Sequence, residues 1–229
     1  MKPTTNIAEA LTPDGSRLTL QRHDGQFHMR VDGELLMSTR AWQSEAEMAE
    51  VGCVRVAGKM PKRVLIGGLG FGFTLRRVLE IVQPDAEVEV AELMPRMVAW
   101  NREHLREVNG LLLDDPRVTI TIGDVLGVLG RAAPGRYDTV LLDVDNGPVA
   151  LVDPGNDRIY SASGLRVLSR ALAPGGRAVF WSAWSHRGFL RHLTAAGFRA
   201  HALAAKAYPQ AVRETHTLFV ADRVGRPAR

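Results

Sequence analysis

The chain is predicted to be an α/β protein, a doubly wound and mostly parallel sheet with a small antiparallel β-meander at its N-terminus. Three observations carry this reading. From Arg63 onward, apolar runs of strand length alternate with helix-period segments, the pattern of βαβ units. The run Val64-Leu-Ile-Gly67 passes into Gly68-Leu-Gly-Phe-Gly72, a glycine turn between a buried strand and a helix. Before residue 40, alternating runs are separated by Asp24-Gly25 and Asp32-Gly33, and Asp-Gly between such runs is a strong hairpin signal.

Taken in order, residues 1–43 form the meander, with three expected strands at Arg17–Arg22, Gln26–Val31 and Glu34–Ser38. Alternation leaves one apolar face on it: Leu18, Leu20, Phe27, Met29, Val31, Leu35 and Met37. A sheet this small is not stable alone, so that face must be covered by the main domain or by a second copy of the chain. Residues 44–222 form the α/β domain. Ser44-Glu-Ala-Glu47 resembles a capping box, and its helix is expected to reach about Val56. Strands are expected at Val64–Gly67, Glu87–Glu92, Val118–Ile122, Tyr137–Asp143, Arg177–Ser182, Arg199–Ala204 and His216–Ala221. Helices are expected at Phe73–Val82, from Pro95 to about Val108, at Val125–Arg131, Ser161–Ala171 and His186–Ala196. The tail, residues 223–229, is expected to be loose.

Composition narrows the class. The chain has 229 residues and is 45% apolar, enough for one α/β domain with a small appendage. No run approaches the roughly 18 apolar residues of a membrane helix, and the first residues lack an apolar signal core. The one cysteine, Cys53, has no partner in the chain and sits in an apolar stretch, which reads as a packed thiol. These facts fit a cytoplasmic protein with no membrane segment. The net charge is +4, but the arginines are scattered, and nucleic-acid binding needs a clustered basic face. A small-molecule partner is the expectation.

In an open parallel sheet, ligands bind beyond the carboxyl ends of the strands. Four strands here end on useful groups: Gly67-Gly68, Glu92, Asp124 and Asp143. Gly68, Gly70 and Gly72 let a ligand approach the backbone closely, and the helix N-terminus beyond them faces that ligand. Glu92 follows Gly72 by 20 residues, near the offset at which an acid accepts both hydroxyls of a ribose. A dinucleotide loop needs Gly-x-Gly-x-x-Gly, and its sixth position here is Phe73. Gly-x-Gly-x-Gly favours S-adenosylmethionine over a nicotinamide or flavin.

Asp124 either lies near an adenine amino group or caps the helix that follows; one carboxylate can do both. Asp143-Val-Asp-Asn-Gly-Pro148 sets two carboxylates and an amide just past a buried strand. Such a loop accepts a proton from an amine or holds a cationic substrate, with Asp143, Asp145 and Asn146 as the groups concerned. The alternative is an Asx-type turn that satisfies its own backbone. Tyr160 either lines a substrate pocket or staples a helix start. Trp181, Trp184 and His186 lie at the same sheet end, where aromatics either wall a cationic group or belong to the core. The histidines have no paired metal spacing, and no metal site is expected.

With these residues in view, the chain resembles the spermidine synthase family, within the class I S-adenosylmethionine-dependent methyltransferase fold, a Rossmann-like fold. The resemblance covers roughly residues 16–222. It includes the glycine loop, Val90-Ala-Glu92, Asp115-Pro-Arg-Val118, Gly123-Asp124, the Tyr137–Asp143 strand and Asp143-x-x-Asn-x-Pro. It implies a general base at Asp143 and a ribose ligand at Glu92. The sequence also departs from the family. The loop usually reads Gly-Gly-Gly-Asp-Gly-Gly, and the acid that holds the aminopropyl ammonium is here Gly70. The family's Asp-x-x-Asp is here Asp143-x-x-Asn146, and its N-terminal Tyr, His and Gln have no clear counterparts near Trp42–Met48. A neutral loop tolerates the intact carboxylate of S-adenosylmethionine. The expectation is therefore an S-adenosylmethionine-dependent transferase, methyl transfer ahead of aminopropyl transfer from the decarboxylated cofactor. A non-catalytic binding module on the same fold is the further alternative. Association is common in proteins of this kind, so a homodimer is expected.

Overall fold

The computed structural model describes residues 3–54, 58–144, 157–183, 185 and 187–224. The N-terminal sheet has four antiparallel strands in chain order: β1 (Thr5–Leu11), β2 (Arg17–His23), β3 (Gln26–Val31) and β4 (Glu34–Ser38). Both Asp-Gly turns put both residues in the left-handed region, with φ of 49° and 75° at Asp24 and Gly25 and 47° and 89° at Asp32 and Gly33. That is the type I′ geometry whose twist matches the flanking strands. β1 is an addition to the three strands expected. Its pairing with β2 slips between Asn6 and Ala8, and that irregularity breaks the two-residue period by which a strand is recognised. β4 carries a second irregularity. Met37 pairs with Met29 and Leu35 with Arg30, which leaves Leu36 as an extra residue.

The main sheet has the order β10-β11-β9-β8-β5-β6-β7. It is built from β5 (Arg63–Gly67), β6 (Glu87–Glu92), β7 (Val118–Ile122), β8 (Tyr137–Leu142), β9 (Leu172–Ser182), β10 (Phe198–Ala205) and β11 (His216–Arg223). β5 through β9 run parallel, while β11 runs antiparallel to both its neighbours. The predicted fold class is the one observed. β5 lies between β6 and β8, so the winding reverses at its carboxyl end, where such sheets open a crevice.

Helices cover both faces: α1 (Gln43–Cys53), α2 (Phe73–Ile81), α3 (Pro95–Glu103), α4 (Arg106–Asn109), α5 (Val125–Arg131), α6 (Asp157–Tyr160), α7 (Ala162–Ala171) and α8 (Arg187–Ala195). Alternation along β5 divides the core. Val64 and Ile66 pack with Met48, Cys53, Leu75 and Val78 of α1 and α2. Leu65 faces the other way, toward Leu129, Leu165, Leu168 and Phe189 of α5, α7 and α8. Cys53 is fully buried, and burial pushes its thiol up to about 12, so it is inert packing.

Two helix expectations differ from the structure. The capping box does not form: Trp42 is the N-cap of α1 with no side-chain bond, and Ser44 is buried inside the first turn. The helix expected to reach Val108 divides in two. The Trp100 carbonyl accepts from both His104 and Leu105, and Leu105 turns wholly inward. It joins a third apolar cluster in which Leu18, Leu20, Phe27 and Met29 pack on Phe71, Met94, Met97 and Trp100. Most of the meander's apolar face is thus covered by the chain's own main domain, while Leu35 stays exposed. Among the described residues, no helix is long and apolar enough to cross a membrane.

Candidate active site

The site begins at the glycine loop between β5 and α2. Gly68 has φ of +89°, and a Cβ there would lie 2.2 Å from the Asp143 carbonyl oxygen, so only glycine fits. The loop is stitched to both neighbouring strands. Gly68 donates to the Ala91 carbonyl at 2.9 Å, and Asp143 donates to the Gly67 carbonyl at 2.9 Å. Leu69 and Phe71 point inward and are 5% and 2% exposed. Gly72, at φ +83°, is the N-cap of α2; it shapes the helix start and lies outside the described cleft wall.

Glu92 ends β6 at the same level. Its Oε2 accepts from the Leu69 N–H at 2.8 Å and its Oε1 from the Met94 N–H at 2.8 Å. The side chain is only 6% exposed. Burial pushes its carboxyl up, against the pull of the Met94 and Leu69 bonds. Besides ending the strand, this acid holds the glycine loop in place. Each carboxylate oxygen keeps a second lone pair for a hydroxyl. Asp124, ending the β7 segment, caps α5 by accepting from Leu126 at 3.0 Å and Gly127 at 3.3 Å.

Gly68, Gly70, Glu92, Asp124 and Asp143 line one cleft, and Leu18, Met29, Leu36 and Met37 of the N-terminal sheet roof it. The cleft combines a backbone open to close approach at one end, a strand-end acid beside it, and an apolar cover. A Cβ at Gly70 would lie 3.6 Å from the Met37 sulfur, so a side chain there would project at the roof.

A second cavity of about 190 Å³ adjoins the first. Ser44 and Glu45 of α1, Trp181 of β9 and His216 of β11 line it. The two cavities share Leu36, Met37, Asp143 and Val144. Asp143 thus stands on the partition between them. Trp181 is partly buried, and its ring lies 4.8 Å from that of His216. Burial pushes the His216 imidazole down, against the pull of Glu47, and favours its neutral form.

Of the residues expected to meet substrate, Tyr160 goes elsewhere. It is 6% exposed and packs in the core on Phe180 and Phe189, with ring centroids 6.0 Å and 5.3 Å away. It immediately precedes Ser161, which caps α7 by accepting from Gly164, so the helix-staple alternative matches its position. Asp145, Asn146, Trp184 and His186 lie outside the described residues. Sequence reasoning missed Glu45 and Met37 as cavity-lining residues. The first was absorbed into an apparent capping box and the second into a generic apolar face.

A doubly wound sheet with a glycine loop, a strand-end acid and a roofed cleft defines a class I S-adenosylmethionine-dependent methyltransferase-like fold. The comparisons with known proteins are more specific. The spermine/spermidine synthase domain model matches residues 45–199. A polyamine aminopropyltransferase of Mycobacterium tuberculosis is 32% identical over 165 residues, 71% of this chain and 30% of that protein. The aminopropyltransferase of Aeropyrum pernix is 32% identical over 160 residues, 65% of this chain and 48% of that protein. Putrescine N-methyltransferase 1 of Nicotiana tabacum is 30% identical over 138 residues, 59% of this chain and 35% of that protein. The chain thus spans less than half the length of these curated relatives. Among solved structures, a spermidine synthase in complex with the transition-state analogue AdoDATO superposes with a TM-score of 0.75 at 18% identity, covering 97% of this chain and 75% of that one. Spermidine synthase from Thermotoga maritima gives 0.73, again at 18% identity, over 97% and 74%. The chain belongs to the spermine/spermidine synthase family.

Proposed function

We propose that this chain transfers an aminopropyl group from decarboxylated S-adenosylmethionine to a small amine. Aminopropyl transfer replaces methyl transfer as the leading reading because relatives 32% identical over 165 and 160 residues are named polyamine aminopropyltransferases. The observation that carries the proposal is the position of Asp143, which lines both the cleft roofed by Met37 and the second cavity.

When bound, the donor supplies a sulfonium whose neighbouring carbon is open to displacement. The chain's residues do the rest. Gly68 and Gly70 let the donor approach the backbone, Glu92 receives ribose hydroxyls, and Asp124 stands toward the adenine while capping α5. A free amine has a pKa near 10.4 in water and arrives as an ammonium. Asp143 takes a proton from it, freeing the nitrogen lone pair on the side that faces the donor. Holding both reactants across one partition supplies most of what displacement from a sulfonium needs, which is alignment.

A second reading, methyl transfer from intact S-adenosylmethionine, has its own support. Gly70 stands where the family carries an acid, its side-chain direction meets the Met37 thioether, and one relative is named a putrescine N-methyltransferase. Titration calorimetry with both donors, followed by mass spectrometry of products formed with 1,4-diaminobutane, separates the readings. Aminopropylated product is expected; methylated product would establish the second reading, and binding of neither donor would sink both.

We also retain the homodimer as a proposal. Leu11 and Leu35 of the N-terminal sheet are 69% and 52% exposed, on its two edge strands. Light scattering at micromolar concentration tests it, and a monomeric mass would refute it.

A further inference from the structure

We infer that Glu45 is the residue that selects the acceptor: its carboxylate, delivered into the second cavity by α1, holds the cationic end of a diamine whose other nitrogen lies at Asp143. The inference rests on the transferase reading above and adds to it a specificity residue.

Three observations carry it. Glu45 lines the cavity together with Asp143, so two acidic residues on unrelated elements, a helix and a strand end, border one space of about 190 Å³. None of the described residues lining that space is lysine or arginine. His216, the remaining titratable group among them, is held toward its neutral form by burial. The cavity is therefore anionic with apolar and aromatic walls, among them Met37 and Trp181. Such a space suits an alkyl chain with a charge at each end: methylenes against the walls, ammonium groups at the carboxylates. Ser44 donates to Glu45 Oε2 at 2.9 Å, which fixes one oxygen of the carboxylate.

The sequence gives a reason for the chain to need such a residue. The acid expected at the glycine loop is Gly70, and the second acid of the strand-end motif is Asn146. Glu45 returns a negative charge from a different element. Burial raises its carboxyl to about 7, a cost that an incoming ammonium relieves.

The test compares wild type, Glu45→Gln and Glu45→Asp with 5′-methylthioadenosine, 1,4-diaminobutane and n-butylamine by calorimetry, the amines titrated in the presence of the nucleoside. Wild type is expected to bind the diamine at least ten-fold more tightly than the monoamine. Glu45→Gln should erase that preference and leave nucleoside affinity within two-fold, and Glu45→Asp should restore part of it. In turnover, the loss should appear in KM for the diamine with kcat little changed. Unchanged diamine preference in Glu45→Gln would overturn the inference. So would wild type that binds the nucleoside but discriminates between neither amine. Failure of wild type to bind the nucleoside would instead overturn the transferase reading beneath it. Melting temperatures of the three proteins identify any variant that fails to fold, and Glu45→Asp then decides alone.

Discussion

The Asn101 side-chain amide donates to the Gly70 carbonyl across 2.9 Å, tying α3 to the glycine loop. The same amide donates to Met97 at 2.8 Å, and Asn101 Oδ1 accepts from the Asn109 side chain. Asn101 is 1% exposed and Asn109 5%. Asn101→Ala therefore strands a buried carbonyl and a buried amide, at a cost of about 1–3 kcal/mol. The loop loses its outer anchor, so affinity for 5′-methylthioadenosine should fall by about ten-fold, on the order of 1.4 kcal/mol. Denaturant unfolding and calorimetry on one preparation check both. Unchanged affinity would show that the loop holds its shape without α3.

Glu92→Ala should lower both stability and donor affinity. Two buried N–H groups, on Leu69 and Met94, lose their acceptor. Relief of the buried charge offsets part of this, leaving a net loss of roughly 1–3 kcal/mol. Donor affinity should drop ten-fold or more. A drop in melting temperature with unchanged donor affinity would mark Glu92 as a loop anchor with no ribose contact.

Glu45→Gln should stabilise the protein at alkaline pH. The carboxyl is raised from its ordinary 4.5 to about 7, first by burial, against the Ser44 bond. An acid raised in the fold favours the protonated form there. Its stability contribution is full below about pH 4.5, declines as pH rises toward 7, and is gone above. Asp143 and His216 line the same cavity. Because Glu45 is partly exposed, solvent screening limits the gain at pH 8 to about 1–2 kcal/mol. Thermal unfolding at pH 5 and pH 8 tests this, with the variant's advantage expected only at the higher value.

Gly68→Ala and Gly70→Ala should differ although they sit two residues apart. At Gly68 the new methyl meets a backbone carbonyl at 2.2 Å with φ at +89°, and a loss of about 3 kcal/mol or more is expected. At Gly70 it meets a flexible methionine at 3.6 Å with φ at +50°, and about 1–2 kcal/mol is expected. Equal losses in denaturant unfolding would refute the close-approach account of Gly68.

Much of this architecture is written locally. Glycines at 68, 70 and 72 and strand-end acids at 92, 124 and 143 are legible because turn geometry and strand period act over a few residues. Asp-Gly pairs fix the hairpins for the same reason. What escaped depends on packing between distant segments. Nothing local separates Glu45 from a capping residue; α1 must first dock on β9 and β11 to aim it. Tyr160 sits before a helix in sequence, and only the assembly of Phe180 and Phe189 around it draws it into the core. β1 hid behind an irregular register, since a slipped pairing erases the alternation that announces a strand.

The extra residue in β4 has a consequence for the two cavities. On a regular strand, neighbours face opposite sides, yet Leu36 and Met37 border both cavities. A single inserted residue turns one strand into a shared bulkhead. Under the transferase reading proposed above, its thickness would set how far apart donor and acceptor are held, and exchanging these two side chains would change the acceptor length admitted while leaving every carboxylate in place.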